Sequence, residues 1–272
     1  MLLAVDIGNS NVVLSVFENH KILNQWRINS SLDKSTDDFA VDIIELLLTA
    51  KIDILTINRC IIASVVPTIT GRIEQAIKKI VNNNILKKII ILDEHRHKLP
   101  ITINLKNKNE IGIDRLVNSI IAYQKFGLTQ DSLIIVDFGT ATTFDFIDEN
   151  GNHLGGCIAP GASVTAHALS EAGALLPKLP LSKPERVIGT WTIPQMQSGV
   201  FWGYVGLFEG LIQRLLDEFM TSRGLTKKPR VIATGGLSSL FKDVTDVFDD
   251  IFPDLIYEGL WHVYTGMNAQ KE

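Results

Sequence analysis

The feature that most constrains the fold of this chain is a short motif that occurs twice. Asp6-Ile7-Gly8-Asn9-Ser10-Asn11 stands near the start, and Asp137-Phe138-Gly139-Thr140-Ala141-Thr142 stands near the middle. Counted from each Asp, both copies have Gly at position +2, an apolar residue at +10 and Glu-Asn at +12 and +13. Each copy follows an apolar run and is followed by a strand-like stretch and a turn. We therefore predict two related β-hairpin units and an internal duplication of the fold.

The turn of each predicted hairpin has the composition of a phosphate-binding loop. A carboxylate ends the first strand, and the Gly lets backbone approach a phosphate without a Cβ in the way. Backbone amides and short polar side chains donate to phosphate oxygens, while a neighbouring Asp suits a hard cation such as Mg²⁺. One copy alone would favour an ordinary Gly turn. Two copies in register favour a site for a nucleotide polyphosphate and its metal.

Length and composition describe a globular protein with no sign of a membrane or nucleic-acid partner. The 272 residues carry a net charge of −4, without a long block of one sign. We expect no signal peptide, and no stretch approaches the roughly 20 apolar residues of a membrane helix. Cys60 and Cys157 lie in apolar runs, which predicts reduced core thiols and a cytoplasmic protein. His95 and His97 flank Arg96 in a polar segment, and we interpret them as surface residues rather than zinc ligands.

The predicted order of strands and helices repeats between the two halves of the chain. Three strands precede alternating helices and strands in the first half, and the order recurs in the second. No linker rich in Pro, Ser or charge separates the halves. We therefore predict two packed domains, 1–120 and 121–272. The glycines at 199, 203, 206 and 210 give one long helix a small-residue stripe, which we expect to pack on another helix, in this chain or in a second subunit.

This order resembles the duplicated ribonuclease-H-like fold of the acetate kinase, sugar kinase, Hsp70 and actin superfamily. That resemblance implies an α/β protein in which each domain has a mixed five-stranded sheet flanked by helices. It also implies that ATP binds between the halves, with the hairpins on the phosphates and a Gly-Gly turn at the adenosine. Thr234-Gly235-Gly236 would supply that turn, although Gly-Gly ends many strands and is a weak signal by itself.

The segment Gly112-Ile113-Asp114-Arg115, between the halves, carries the candidate catalytic residue. A carboxylate at Asp114 can orient or deprotonate an alcohol that attacks a γ-phosphate. Arg115 can hold an anionic substrate, because guanidinium matches a carboxylate with two parallel hydrogen bonds. The alternative is that Asp114 only caps a helix. The two phosphate turns in the same chain favour catalysis.

Six segments, in order and across nearly the whole chain, closely resemble the type III pantothenate kinases. They are DIGNSN at 6–11, GIDRLVN at 112–118, DFGTAT at 137–142, GGCIAPG at 155–161, IGTWT at 188–192 with MQSG at 196–199, and TGGL at 234–237. The resemblance implies ATP-dependent phosphorylation of pantothenate to 4′-phosphopantothenate, the first step of coenzyme A biosynthesis, by a homodimer. It implies that Mg²⁺ lies beside Asp6 and that Asp137 holds a monovalent cation, K⁺ or NH₄⁺.

The resemblance also implies a role for each matching residue. Asp114 would accept the proton of the primary hydroxyl of pantothenate. The other pantothenate contacts would be Gly112, Ile113, Arg115 and Thr192, the last of them across a subunit interface. The ATP contacts would be Asp6, Ile7, Gly8, Asn9, Ser10, Asn11, Val12, Val13 and Thr140.

At two positions this chain departs from the family, and the resemblance therefore does not settle how the substrate pocket is lined. Leu105 stands where the family usually has Tyr, and Lys108 stands where it usually has Pro. A kinase for another small alcohol is therefore one alternative. A regulatory accessory protein on the same fold is another, because some relatives were described as accessory factors in gene regulation. The intact Asp6, Asp114 and Asp137 argue against a decayed enzyme.

Overall fold

The computed structural model describes residues 1–81, 88–127, 131–173, 177, 180–224 and 227–269. The chain divides into two compact units. Unit 1 comprises Met1–Pro100, Asn109–Asn118 and Ile256–Glu272, and unit 2 comprises Ile101–Lys108 and Ser119–Leu255. The division into domains 1–120 and 121–272 stays a prediction.

Unit 1 contains a mixed five-stranded sheet in the order β3-β2-β1-β4-β5. Its strands are β1 (Leu2–Ile7), β2 (Asn11–Glu18), β3 (Lys21–Asn29), β4 (Arg59–Ser64) and β5 (Lys88–Ile91). The first three strands form an antiparallel meander, and β4 is parallel to both β1 and β5. The sequence predicted the order of elements along the chain, three strands and then alternating helices and strands, and not the order of strands within the sheet. β1, β2 and β4 are near-continuous apolar runs of the kind that fill buried sheets.

Two helices of unit 1 begin at clear local signals. Helix α1 (Thr36–Thr49) starts with a capping box, in which Ser35 and Asp38 each accept a hydrogen bond from the other's backbone N–H. Helix α2 (Pro67–Ile80) has Pro in its first turn, where the missing N–H has no helical partner to lose. Their buried residues, among them Phe39, Ile43, Ile73 and Ile77, pack in one core with apolar side chains of the sheet.

Unit 2 contains a mixed sheet of six strands, in the order β11-β10-β7-β8-β9-β6. The strands are β6 (Thr102–Ile103), β7 (Leu133–Phe138), β8 (Ala141–Ile147), β9 (Asn152–Pro160), β10 (Arg230–Thr234) and β11 (Asp250–Phe252). The prediction of five strands in each sheet is therefore wrong for this one. The additional edge strand β6 pairs with β9 through only two residues, which is too short for a periodic pattern.

The remaining helices are α3 (Ile113–Phe126), α4 (Ala162–Ala172), α5 (Thr192–Arg223) and α6 (Leu255–Ala269). Helix α5 ends at Gly224, whose φ of 61° is a left-handed conformation that glycine adopts without strain. Its buried side, including Phe201, Phe208 and Ile212, packs with Phe138 and Phe144 of the sheet. Within the described ranges, no helix combines the length and apolar character needed to cross a bilayer.

Candidate active site

The first predicted phosphate turn is formed by residues 8–10, between β1 and β2. The Gly8 N–H donates to the Asn11 carbonyl at 2.9 Å, which closes the turn. Ser30, at the end of β3, donates its hydroxyl to the Gly8 carbonyl at 2.5 Å and its N–H to the Ser10 carbonyl at 3.0 Å. Asn9 and Ser10 at the tip of the turn are exposed, while hydrogen bonds with Asn11 and Ser30 hold its base. Such a turn can present its tip to a ligand with little loss of conformational freedom.

Three of the predicted ATP-binding residues have their side chains in the core. Ile7, Val12 and Val13 are 1%, 0% and 4% exposed. Only their backbone groups can therefore serve a ligand. Asp6, the residue before Ile7 in β1, is half-buried.

The second predicted phosphate turn, Gly139 and Thr140, connects β7 and β8, and both residues are exposed. The Gly139 N–H donates to the Ala141 carbonyl at 3.1 Å. The strand register shows that the two turns are related but unequal. Asp137 pairs with the sixth residue after it, Thr143, whereas in the first hairpin Asp6 pairs with the seventh residue after it, Val13. The first loop therefore has one residue more.

Two glycines allow neighbouring backbone to lie directly against the second turn. The Gly161 N–H, at the start of α4, donates to the Thr140 carbonyl at 3.1 Å, and a Cβ on Gly161 would lie 2.3 Å from that oxygen. Gly235 follows β10 with a φ of +87°, and a Cβ there would lie 2.3 Å from Oδ1 of Asp137. Only glycine fits either contact. The predicted adenosine turn at 234–236 thus adjoins the Asp137 turn within unit 2.

Helix α5 fixes the base of the second turn through Tyr204. The Tyr204 hydroxyl shares a hydrogen bond with the hydroxyl of Thr142, and both residues are buried. Burial raises the pKa of Tyr204 above its ordinary value, so the phenol is neutral throughout the physiological range. The ring of Phe138 meets the rings of Tyr204 and Phe208 edge-on, at centroid distances of 6.1 and 5.5 Å. Sequence analysis missed Tyr204, although a tyrosine on the apolar face of a helix is a usable signal.

The candidate catalytic segment begins helix α3. Asp114 is half-buried, and its Oδ1 accepts the backbone N–H of Arg115 at 2.8 Å. A Cβ on Gly112 would lie 2.3 Å from the same oxygen, so the carboxylate lies over the glycine. The first hydrogen bond of the helix runs from the Leu116 N–H to the Gly112 carbonyl, at 3.3 Å. Asp114 therefore stands inside the first turn of α3 rather than at its N-cap. In that turn the positive end of the helix stabilises a carboxylate.

Val65 places this segment next to the first phosphate turn within unit 1. Its N–H donates to the Ile7 carbonyl at 3.0 Å, at the end of β1. Its Cγ1 lies 3.4 Å from the position that a Cβ on Gly112 would occupy. Val65 thus contacts both the segment that carries Asp114 and the strand that carries Asp6.

The other predicted site residues lie in unit 2. Asp137 is half-buried at the end of β7, and Thr192 is exposed at the start of α5 beside Trp191, which is 63% exposed. Among the described residues, no group of three or more His, Cys, Asp and Glu is arranged to hold a metal. Two oxygens border Gly235: Oδ1 of Asp137 and the carbonyl oxygen of Phe138. They lie 2.3 and 2.8 Å from the position that a Cβ on Gly235 would occupy. Carboxylate and carbonyl oxygens are the donor type that hard cations take, so these residues fit a cation held jointly with backbone, water or nucleotide.

The polar segment with the two histidines is a 3-10 helix, Leu92–Lys98, and it is not uniformly a surface feature. His97 is exposed and His95 is half-buried. The side chain of Arg96 between them is only 16% exposed. Sequence analysis missed this, because a charged residue in a polar segment has no local feature that marks it as turned inward.

Solved structures share the fold of this chain. A Campylobacter jejuni protein assigned to the Baf family of transcriptional activators has a TM-score of 0.58 and 18% identity, covering 98% of this chain and 99% of that one. A Sinorhizobium meliloti protein assigned as a 2-dehydro-3-deoxygalactonokinase has a TM-score of 0.54 and 9% identity, covering 98% and 97%. At these identities the likeness concerns the fold alone. It confirms the α/β class that the sequence predicted.

Sequence comparison gives the family. The family described as type III pantothenate kinase matches residues 2–214. A relative of that name from Paramagnetospirillum magneticum is 38% identical over 264 residues, covering 97% of this chain and 96% of its own. Another, from Rhodospirillum rubrum, is 39% identical over 260 residues, covering 96% of each chain. The chain belongs to the type III pantothenate kinase family.

Proposed function

We propose that this chain transfers the γ-phosphoryl group of ATP to the primary hydroxyl of pantothenate. The product is 4′-phosphopantothenate, and the reaction opens coenzyme A biosynthesis. Family membership over nearly the whole chain supports the reaction. The structural observation that carries it is the contact through Val65, because it brings the carboxylate segment next to the turn suited to phosphate. A cytoplasmic location stays a prediction and rests on the apolar runs around Cys60 and Cys157, which predict reduced thiols.

The chain's own residues supply positioning and a proton acceptor. In the proposed reaction the backbone of residues 8–11 binds the phosphates of ATP, with further contacts from Asp6, Val12, Val13 and Thr140. Asp114 accepts the hydroxyl proton as the new O–P bond forms and the bond from the γ-phosphorus to the bridging oxygen of ADP breaks. Arg115 pairs with the carboxylate of pantothenate, and Gly112, Ile113 and Thr192 complete its contacts. Little covalent help is needed, because phosphoryl transfer depends chiefly on in-line placement and neutralised charge.

Cations form part of the same proposal. Mg²⁺ beside Asp6 and K⁺ or NH₄⁺ at Asp137 would neutralise the negative charge of the triphosphate. The oxygen donors of both residues suit hard cations. Asp137 lies against Gly235, and the hydrogen bond between the hydroxyls of Thr142 and Tyr204 holds the base of its hairpin.

The departure at Leu105 bears on substrate choice. Leu105 is half-buried, and its Cδ2 lies 3.3 Å from the Cβ position of Gly155, whose φ is +119°. The side chain therefore packs on the backbone of β9 and offers no hydroxyl to a substrate. We place the polar contacts of pantothenate at residues 112–115 and Thr192 instead.

A coupled assay of ADP release tests the reaction. In the presence of Mg²⁺ and high K⁺, we expect ADP release to depend on pantothenate and to stop when EDTA removes the divalent ion. Parallel reactions contain pantetheine or simple sugars in place of pantothenate. Turnover with one of these but not with pantothenate would make the protein a kinase for another alcohol. No turnover with any of them would favour a regulatory protein on the same fold.

We also propose a homodimer that uses the outer face of α5. Gly199, Gly203 and Gly206 are exposed, and a Cβ on any of them would meet nothing within 4 Å. Large apolar side chains of the same unit are also exposed: Ile158 is 64% exposed, Val187 65%, Ile188 82% and Trp191 63%. A helix face of exposed glycines, in a unit that also exposes large apolar side chains, suits close packing against a second copy.

Size-exclusion chromatography with light scattering checks the dimer. We expect the wild type to have the mass of two chains and Gly203→Arg to be a monomer, because the new side chain blocks close approach of helices. Gly266→Arg is the matched control, since Gly266 is also an exposed helical glycine with nothing within 4 Å of a Cβ. A monomeric wild type, or equal behaviour of the two variants, would contradict this assignment.

A further inference from the structure

We propose that Arg96 is a positioning residue for the phosphoryl-acceptor site. It holds the backbone immediately before Gly112, so that Asp114 and Arg115 keep their places. The inference rests on the proposed function, because it assigns Arg96 to the pantothenate side of that reaction.

The guanidinium of Arg96 makes two directed contacts. Nη1 donates to the Ile111 carbonyl at 2.7 Å, and Nη2 lies 2.6 Å from Oδ1 of Asp93. Asp93 stands three residues earlier, near the start of the same 3-10 helix. A planar guanidinium with two fixed partners has a defined orientation, which a single-point ammonium would lack.

The carbonyl that Arg96 binds has no place in the hydrogen-bond ladder of α3. That ladder starts one residue later, with the bond from the Leu116 N–H to the Gly112 carbonyl. Ile111 itself is 2% exposed. A buried carbonyl that precedes a helix needs a partner from elsewhere in the fold, and loss of that partner is unfavourable.

Loss of Arg96 would affect the site because Gly112 and Asp114, which follow Ile111, are in close contact. The Asp114 carboxylate lies over Gly112, at 2.3 Å from the position of a Cβ, and Val65 approaches the same position at 3.4 Å. A shift of the Ile111 carbonyl therefore moves Gly112 and changes where the carboxylate points. Displacements of about 1 Å at a reacting group can reduce rates a hundredfold.

Arg72 offers a matched comparison within unit 1. Its Nη1 donates to the carbonyls of Leu32 and Lys34, at 2.5 and 2.8 Å. Arg72 therefore fixes loop backbone by the same chemistry, but in the segment that leads into α1. Removal of either arginine leaves backbone carbonyls without their donor, and only Arg96 adjoins the acceptor segment.

The test compares steady-state kinetics of Arg96→Ala and Arg72→Ala. We expect Arg96→Ala to lower kcat/KM for pantothenate by about tenfold to a hundredfold, with KM for ATP within about twofold of the wild type. Guanidinium chloride at low millimolar concentration should restore part of the loss by occupying the vacated space. Arg72→Ala should leave KM for pantothenate within about twofold. Arg96→Lys, which keeps one donor, should lie between the wild type and Arg96→Ala.

The outcomes separate this inference from the proposed function. If the wild type shows no pantothenate-dependent ADP release, both the proposed function and the role of Arg96 are contradicted. An active wild type with an unchanged pantothenate KM and kcat in Arg96→Ala, or with equal losses in both alanine variants and no response to guanidinium, would assign Arg96 a purely structural role. If Arg96→Ala does not fold, Asp93→Ala removes the second contact alone. It should then lower kcat/KM for pantothenate by a smaller factor than Arg96→Ala, and no change would overturn the inference.

Discussion

Replacement of Asp114 by Asn should lower kcat for pantothenate phosphorylation by about 10²- to 10⁴-fold while both substrates still bind. The amide has the size and shape of the carboxylate, and its oxygen can still accept the Arg115 N–H that Asp114 accepts at 2.8 Å. The local backbone over Gly112 is therefore preserved. What the amide lacks is a site that takes the hydroxyl proton as the O–P bond forms. Steady-state ADP release measures kcat, and calorimetry measures the binding of ATP and pantothenate separately.

Glu110→Gln is the control for this experiment. Glu110 is exposed and stands four residues before Asp114, so its variant makes the same change of charge close to the site. We expect its kcat to stay within about twofold of the wild type. Turnover like that of the wild type in Asp114→Asn would remove Asp114 as the base and leave it only its hydrogen bond with the Arg115 N–H at the start of α3.

Replacement of K⁺ and NH₄⁺ by Na⁺ should reduce activity at least about tenfold at constant ionic strength and constant Mg²⁺. Selectivity between cations depends on the size of the site and on the number and flexibility of its oxygen ligands. The carboxylate of Asp137 lies directly against Gly235, where a Cβ would come within 2.3 Å of its Oδ1. Because backbone lies so close to one side of this carboxylate, we expect it to follow a smaller ion less well than a larger one. Titration of each cation into a choline chloride buffer gives the half-activating concentration.

Two variants show whether the cation effect belongs to Asp137. Asp137→Asn should raise the half-activating K⁺ concentration. Asp131→Asn changes a carboxylate just before the other end of β7, where it pairs with Lys227, and should leave that concentration unchanged. Equal rates in Na⁺ and K⁺, or an unaltered K⁺ response in Asp137→Asn, would rule out the role given to Asp137.

Much of the fold followed from the sequence because its strands and helices carry strong local patterns. β1, β2 and β7 are largely apolar runs around the doubled motif, β8 follows its second copy, and their pairing as hairpins follows from the short turns between them. The elements that sequence analysis missed lack such patterns. β6 has two residues, and β11 is a three-residue strand that begins with Asp250 and depends on its pairing with β10. Helix α6 was missed although its apolar residues, among them Leu255, Leu260 and Val263, are buried.

The site was predictable only as separate segments. Motifs identify which stretches carry the chemistry, since Gly, Asp and Arg at fixed spacing are local features. They do not identify the residues that hold those stretches from far away in the chain. Tyr204 bonds to Thr142 across 62 positions, and Arg96 bonds to Ile111 across 15. Neither Tyr204 nor Arg96 stands out in its own segment of the sequence, and the role of each comes from the contact that the tertiary fold gives it.

The unequal lengths of the two hairpin loops have a consequence for the duplication that the sequence predicts. The two hairpins differ by one residue between the Asp and its cross-strand partner. The backbone amides of the two loops therefore follow different spacings, and we expect that neither loop could replace the other by simple transplantation. Under the predicted duplication, the two hairpins have diverged at the very place where their likeness is most visible in the sequence.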